Sequence, residues 1–278
     1  MAEALAVIAG GGELPVRLVE ACRAGGRAVL VVALEGQADP ALFPAGPDTR
    51  WFRLGAGGAM LAWLKERGAA EVVMAGRVRR PSLTELRPDG RTLQFFTRIG
   101  LKALGDDGLL RAVTDELARE GLRVVGVQDL LDGLLTPTGA LGGLAPDESA
   151  LADIRHGMRV ARLLGRADVG QAVVVQQGLV LGVEAIEGTD ALIRRCAELK
   201  REGPGPVLVK MRKPQQDRRL DLPTIGPDTV RQCAGAGFAG IAAEAGGTLA
   251  LNQPLIREVA DAAGLFVVGV TPDWDDGA

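Results

Sequence analysis

The sequence predicts an α/β protein with a Rossmann-like N-terminal domain and a second, mixed-sheet α/β domain. Three observations predict it. Short aliphatic runs such as Ala4–Ala9 alternate with amphipathic stretches of helical length, the rhythm of a parallel sheet covered on both faces. Glycines punctuate the ends of these runs, as at Gly10-Gly11-Gly12 and Gly25-Gly26. The rhythm then changes. Beyond residue 149, two apolar runs flank Gln177-Gly178, a hairpin signal that a purely parallel sheet would not contain.

In the first domain, expected over residues 1–130, a strand over Ala4–Ala9 leads through the glycine turn into a helix over Leu14–Ala24. Strands are expected at 28–34, 50–54 and 71–75, with a helix over 58–67. A polar, proline-containing stretch over 76–91 interrupts the pattern. Helices over 93–103 and 107–120 and a strand over 122–127 complete the domain. Residues 131–148 are rich in Gly, Pro and Thr and read as a linker. The second domain, 149–278, opens with a helix over 149–164, followed by hairpin strands at 172–176 and 179–185. Helices are expected from near Asp190, from near Asp228 and over Gln253–Ala263, and strands at 207–211, 240–243, 249–251 and 265–270.

Composition excludes several functions. The formal charge is −3, Tyr is absent and aromatic residues make up 3% of the 278-residue chain. Neither a basic nucleic-acid footprint nor a base-stacking platform is present, so no nucleic-acid partner is expected. Three scattered cysteines, Cys22, Cys196 and Cys233, form neither a disulfide framework nor a zinc pattern. Reduced thiols and a cytoplasmic location are expected. The N-terminus lacks a basic signal-peptide region, and no apolar run approaches the ~20 residues of a membrane span. The single histidine, His156, sits in an amphipathic helical pattern and is expected to pack there. A His-rich metal site is thereby excluded, and oxygen ligands point to magnesium or manganese.

Five segments carry candidate chemistry. Gly10, Gly11 and Gly12 lie between a strand and a helix, where backbone amides can approach a phosphate. Pro15 occupies the sixth position of a dinucleotide fingerprint, so a nicotinamide oxidoreductase reading fails. A tight turn with no ligand explains the glycines equally well. Arg77, Arg79 and Arg80 follow the strand at 71–75, and guanidinium groups there could clamp an anion. Asp106-Asp107 precede a helix that needs only one cap, leaving a spare carboxylate. Glu184, Glu187, Thr189 and Asp190 cluster at a strand end, where Thr189 or Asp190 could cap the next helix.

The fifth segment, Lys210–Thr229, holds five basic residues, three aspartates and three prolines in twenty positions. Cations can offset phosphate charge while carboxylates hold a metal or activate water. Asp228 reads as the cap of the next helix, which leaves Asp217 and Asp221 for chemistry.

These motifs resemble a known family. IAGGGELP, AGRVRRPS, GDDGLLR, DVGQAVVV, EAIEGTDALIRR and DLPTIGPDT run in order through nearly the whole chain. Together they are similar to the LpxI-type UDP-2,3-diacylglucosamine pyrophosphatases of Gram-negative lipid A biosynthesis. The resemblance implies two α/β domains enclosing a lipid chamber. It implies magnesium-assisted hydrolysis to 2,3-diacylglucosamine 1-phosphate (lipid X) and UMP, with water attacking the β-phosphorus. By carry-over of DLPTIG, Asp221 is the indispensable residue, as metal ligand or general base, with Asp217 in reserve. Gly10, Gly11, Gly12, Arg77, Arg79, Arg80, Gln171, Lys213, Thr189 and Thr224 are expected on the substrate. Asp221, Asp190, Glu187, Asp106 and Asp107 are expected around Mg2+ or Mn2+. An acylated UDP-sugar is the expected partner, with transient contact at the inner membrane surface; a homodimer is compatible with the sequence. A non-catalytic nucleotide- or lipid-binding regulator is the rival reading, disfavoured because clustered carboxylates repel phosphate unless a metal or proton intervenes.

Overall fold

The structure, a computed structural model, describes residues 3–79, 83–100, 106–220 and 222–275. The chain forms two compact units that divide after Leu131.

In the first unit, β1 (Ala4–Ala9), α1 (Leu14–Ala24), β2 (Val29–Leu34), β3 (Thr49–Phe52), α2 (Gly57–Glu66) and β4 (Ala69–Ala75) follow in order. The helices α3 (Leu83–Leu86), α4 (Gly90–Ile99) and α5 (Asp106–Arg119) and the short strand β5 (Arg123–Val124) complete it. The five strands run parallel in the order β3-β2-β1-β4-β5. Strands β1 and β2 are the most apolar because they lie centrally, where both faces are covered. The first crossovers run to one side of β1 and the later ones to the other. The order therefore reverses between β1 and β4, the place where open α/β sheets form ligand crevices. Glu71 on β4 is 7% exposed and ion-pairs with both Arg27 and Arg123, which compensates its burial. Asp89 caps α4 through the Thr92 amide at 2.8 Å and also accepts from Gly58 of α2 at 2.8 Å.

The second unit contains β6 (Gly139–Ala140), α6 (Glu148–Arg166), β7 (Ala172–Gln176), β8 (Leu179–Val183), α7 (Thr189–Glu198) and β9 (Val207–Lys210). It continues through β10 (Thr224–Ile225), α8 (Pro227–Gly235), β11 (Gly240–Glu244), β12 (Leu249–Ala250), α9 (Gln253–Ala263) and β13 (Phe266–Val270). Its main sheet has the order β6-β13-β11-β9-β7-β8, with β9, β11 and β13 parallel and β6, β7 and β8 antiparallel to their neighbours. Strands β10 and β12 form a separate parallel pair.

Helix α6 covers one face through Ile154, Met158 and Ala161, packed against Val173, Val175, Val207 and Val209. Its Gly157 permits this approach, because a Cβ there would lie 2.6 Å from Val209. Helices α7, α8 and α9 cover the other face with Leu192, Val230 and Ile256. The mixed sheet and the Gln177-Gly178 turn agree with the sequence pattern. Both turn residues have positive φ, 53° and 76°, as a two-residue hairpin loop requires. Buried Asp153 on α6 accepts from both of their amides, at 2.8 and 2.6 Å.

The stretch 131–148 is not a linker. Thr136 donates its amide to Thr248, Ala250 donates to Leu134, and β6 pairs with β13. The Gly and Pro content marks a strand edge with tight turns, not a flexible tether. Two cap expectations also need correction. Helix α7 begins after Gly188, so Thr189 and Asp190 are its first residues and neither side chain caps it. Helix α8 is preceded by Gly226, whose amide donates to Thr229 Oγ1 at 3.4 Å. Asp228 instead pairs with Arg231 one turn on, at 2.7 Å. All three cysteines are reduced and buried.

Candidate active site

Three of the expected residues of the second unit meet where β9 ends. That strand is wholly buried and ends in a lysine, Lys210, itself only 6% exposed. The Lys210 ammonium donates to Thr189 Oγ1 at 2.8 Å and to the Thr224 carbonyl at 2.9 Å. Thr189, the first residue of α7, donates its own hydroxyl hydrogen bond to Glu184 Oε1 at 2.5 Å. The second Glu184 oxygen accepts the Gln171 amide at 3.1 Å. Four segments thus meet the end of β9 in one hydrogen-bonded chain: the entry to β7, the exit of β8, the start of α7 and the first residue of β10. The side-chain carbonyl of Gln171 is buried here without a hydrogen-bond partner among the described residues. Burial pushes the Cys233 thiol on α8 well above its ordinary value, while the Lys210 charge pulls the other way.

This geometry unites three expected residues, Gln171, Thr189 and Thr224. It adds two that the expected site left out, Glu184 and Lys210. The available signal was the pattern itself. A lysine closing the apolar run Val207–Val209 is costly to bury, so it must have partners.

The charged loop after β9 is anchored, not floating. Lys213 is 9% exposed and pairs with Asp168 at 2.6 Å. Gln215 donates to the Gly165 carbonyl at 2.6 Å and Arg218 to the Gly246 carbonyl at 2.7 Å. The Arg212 amide donates to buried Glu244 at 3.0 Å. Asp217 accepts from Arg219 through Nε at 3.0 Å and Nη2 at 2.6 Å, so its oxygens engage a guanidinium of its own loop. Asp221, the principal catalytic expectation, lies outside the described residues.

Four of the expected metal ligands lie among the described residues. Glu187 pairs with Arg195 at 2.9 Å. Its own backbone amide is the leading influence holding the carboxyl below the ordinary range; burial opposes it, and Arg195 adds to it. Asp190 lies in the first turn of α7, and Asp106 and Asp107 lie in the first turn of α5, in the other unit. Among the described residues no three His, Cys, Asp or Glu side chains form a cage for an ion.

In the first unit, Gly10 donates to the Ala75 carbonyl at 2.8 Å, and Gly11 and Arg77 exchange backbone hydrogen bonds at 2.8 and 2.9 Å. A Cβ on Gly10 would stand 2.5 Å from the Arg77 carbonyl oxygen. Close approach of the β1 and β4 exits therefore accounts for Gly10, a Cβ on Gly11 would stand 2.9 Å from the Gln37 carbonyl oxygen, and both amides are occupied. Gly12, with φ 93°, turns the chain into α1. Arg79 faces Glu85 at 3.5 Å and its amide donates to Gln37. Arg80 lies outside the described residues.

The sequence matches the family model of the LpxI N-terminal domain over residues 4–134 and that of the LpxI C-terminal domain over 137–268. It is 43% identical over 277 residues to the UDP-2,3-diacylglucosamine pyrophosphatase LpxI of Caulobacter vibrioides, spanning 96% of this chain and 98% of that one. Among solved structures it is similar to an Aspergillus clavatus N5-carboxyaminoimidazole synthase bound to ADP and 5-aminoimidazole ribonucleotide. That likeness has 10% identity and a TM-score of 0.24, over 72% of this chain and 44% of the other, and carries no functional argument. Two consecutive family domains and a relative matched along nearly its whole length leave one conclusion: the chain belongs to the LpxI family.

Proposed function

We propose that this protein hydrolyses the pyrophosphate of UDP-2,3-diacylglucosamine, releasing 2,3-diacylglucosamine 1-phosphate and UMP. The 43% identity to a pyrophosphatase of that name, across 96% of the chain, carries the reading. A buried cation and polar side chains at the carboxyl end of β9 support it, because such strand ends are where α/β sheets hold their ligands.

In this reading Asp221 activates or orients the attacking water at the β-phosphorus. Lys213 and Thr224 line the approach of the pyrophosphate, together with Gln171 and Thr189. Arg77, Arg79 and Arg80 meet substrate anions in the first unit. Asp217 stays in reserve because its own loop engages it. The donor set fits magnesium better than a fully protein-caged ion. Magnesium retains waters and needs only one or two carboxylates beside substrate phosphates. Asp221, helped by Asp190 or Glu187, would hold it, and the ion would neutralise charge on the pyrophosphate. No helix among the described residues is long and apolar enough to cross a membrane. We propose a cytoplasmic enzyme that meets its lipid substrate at the inner membrane surface.

Hydrolysis in 18O-labelled water tests the reaction and its regiochemistry together. Label in the sugar 1-phosphate is expected; label in UMP would place attack on the other phosphorus. Absence of UMP release in the presence of magnesium would refute the activity itself, and persistence of full turnover in excess EDTA would refute the metal requirement.

A further inference from the structure

We infer that α4 is a bilayer-contacting element, whose apolar residues Leu93, Phe95, Phe96 and Ile99 rest on an anionic phospholipid surface. The inference deepens the reading above, a diacyl substrate met at a membrane, by naming the part of the chain that meets it. Thr92, Phe95, Phe96 and Ile99 stand at the i, i+3, i+4, i+7 spacing of one helix face, with Leu93 on its flank. Arg91 and Arg98, seven residues apart, mark a second face. An amphipathic helix of a globular domain ordinarily buries the first kind of face and shows the second to water.

Helix α4 departs from this arrangement. It has no buried residue: Leu93 is 57% exposed, and Phe95, Phe96 and Ile99 are half-buried. The other four phenylalanines of the chain, Phe43, Phe52, Phe238 and Phe266, are all buried. The polar groups of α4, by contrast, are engaged. Arg91 and Arg98 pair with Glu120 and Glu116 of α5. Thr92 Oγ1 accepts the Gly57 amide of α2 at 3.0 Å, and the Asp89 cap accepts that of Gly58. Polar contacts therefore anchor the helix to α2 and α5 while its apolar side stays partly open to solvent.

Position and charge select a lipid surface. The Asp89 amide donates to the carbonyl of Gly55, just beyond β3, at 2.8 Å. Helix α4 thus starts at the carboxyl end of the parallel sheet, the end at which such sheets take ligands. Residues 77–89, which lead into α4, carry Arg77, Arg79, Arg80 and Arg87 against Glu85 and Asp89, in a chain of net charge −3. Phenylalanine and leucine on one side, with arginines beside them, suit a helix lying in the plane of a bilayer interface. Anionic headgroups attract the basic segment that precedes it. Ten residues make about 15 Å of helix, so the contact is shallow and reversible.

Sedimentation with substrate-free vesicles of phosphatidylethanolamine and phosphatidylglycerol tests the inference. The wild-type chain should co-sediment, and hydrogen exchange across residues 90–99 should slow on binding. Leu93→Glu, at an exposed position that tolerates the change, should bind vesicles on the order of tenfold more weakly. Leu199→Glu, at a comparably exposed leucine of the second unit, should bind as wild type does. In Leu93→Trp, vesicles should shift the emission to the blue beyond any wild-type change; this variant carries the test if Leu93→Glu fails to fold. Absent wild-type binding, undiminished binding by Leu93→Glu, an equal loss in Leu199→Glu, or unshifted Leu93→Trp emission would overturn the membrane contact. So would concentration-dependent dimerisation, abolished by Leu93→Glu, in a chain that ignores vesicles, since the face would then belong to a second copy. The vesicles hold no substrate. Failure to release UMP would therefore defeat the functional reading alone, and vesicle binding would still decide the role of α4.

Discussion

Two strand ends invite comparison: the exit of β1, with three consecutive glycines, and the exit of β9, with a buried lysine. Both lie at the carboxyl ends of parallel strands, where α/β sheets place ligands. At β1 the conspicuous motif is spent on the backbone. Gly10 and Gly11 let two strand ends exchange main-chain hydrogen bonds with no side chain between them. At β9 an inconspicuous residue joins the side chains of Thr189 and Glu184 to main-chain groups of Gln171 and Thr224. Glycine reports that backbones come close, for whatever reason. A charge inside an apolar run reports that something must meet it.

Four substitutions would break or sharpen that contrast. The largest effect is expected at Asp221→Asn, where turnover should fall on the order of 10²–10⁴-fold while the melting temperature holds. Retained turnover in steady-state assays would move the chemistry away from this segment. Next, Gly76→Ala should destabilise the first unit by about 1–3 kcal/mol, read as a lower denaturant midpoint. Gly76 has φ 92°, and a Cβ there would stand 2.6 Å from the Gly11 carbonyl oxygen. Arg77→Ala should raise KM about tenfold, near 1.4 kcal/mol, with kcat preserved. An unchanged KM would reduce the β1 end to scaffold.

The smallest effect is at Asp89→Ala, a loss of about 1 kcal/mol at neutral pH from an uncapped α4. Burial raises the Asp89 carboxyl, but hydrogen bonds from Thr92, Ala59 and Gly58 outweigh it and leave it below the ordinary value. A depressed carboxyl stabilises the fold above the usual carboxylate range and loses that contribution as pH falls through the lowered value. Unfolding curves of variant and wild type should therefore converge in acid and separate toward neutrality.

The sheet strands and long helices were legible because apolar periodicity reports burial directly. Helix boundaries at Leu14–Ala24 and Gln253–Ala263 follow from glycine stops and proline starts. The edge strand β6 was not legible. Two residues among glycines carry no periodicity, and their pairing depends on β13, more than a hundred positions away. The caps of α7 and α8 were missed for a related reason. Glycine can precede a helix without supplying a side-chain cap, which frees Thr189 for Glu184 and Asp228 for Arg231. The site was half legible. Polar residues near strand ends stand out in the sequence, but which of them share a hydrogen bond depends on the order β9-β7-β8, which sequence spacing does not encode.

The buried cysteines have a practical consequence. Burial raises the Cys22, Cys196 and Cys233 thiols, and a protonated, enclosed thiol reacts slowly with alkylating reagents. Alkylation therefore serves as a stopwatch for opening of the fold. Cys22 times the first unit, Cys196 and Cys233 time the second, and mass spectrometry of the labelled peptides reads both clocks from one sample.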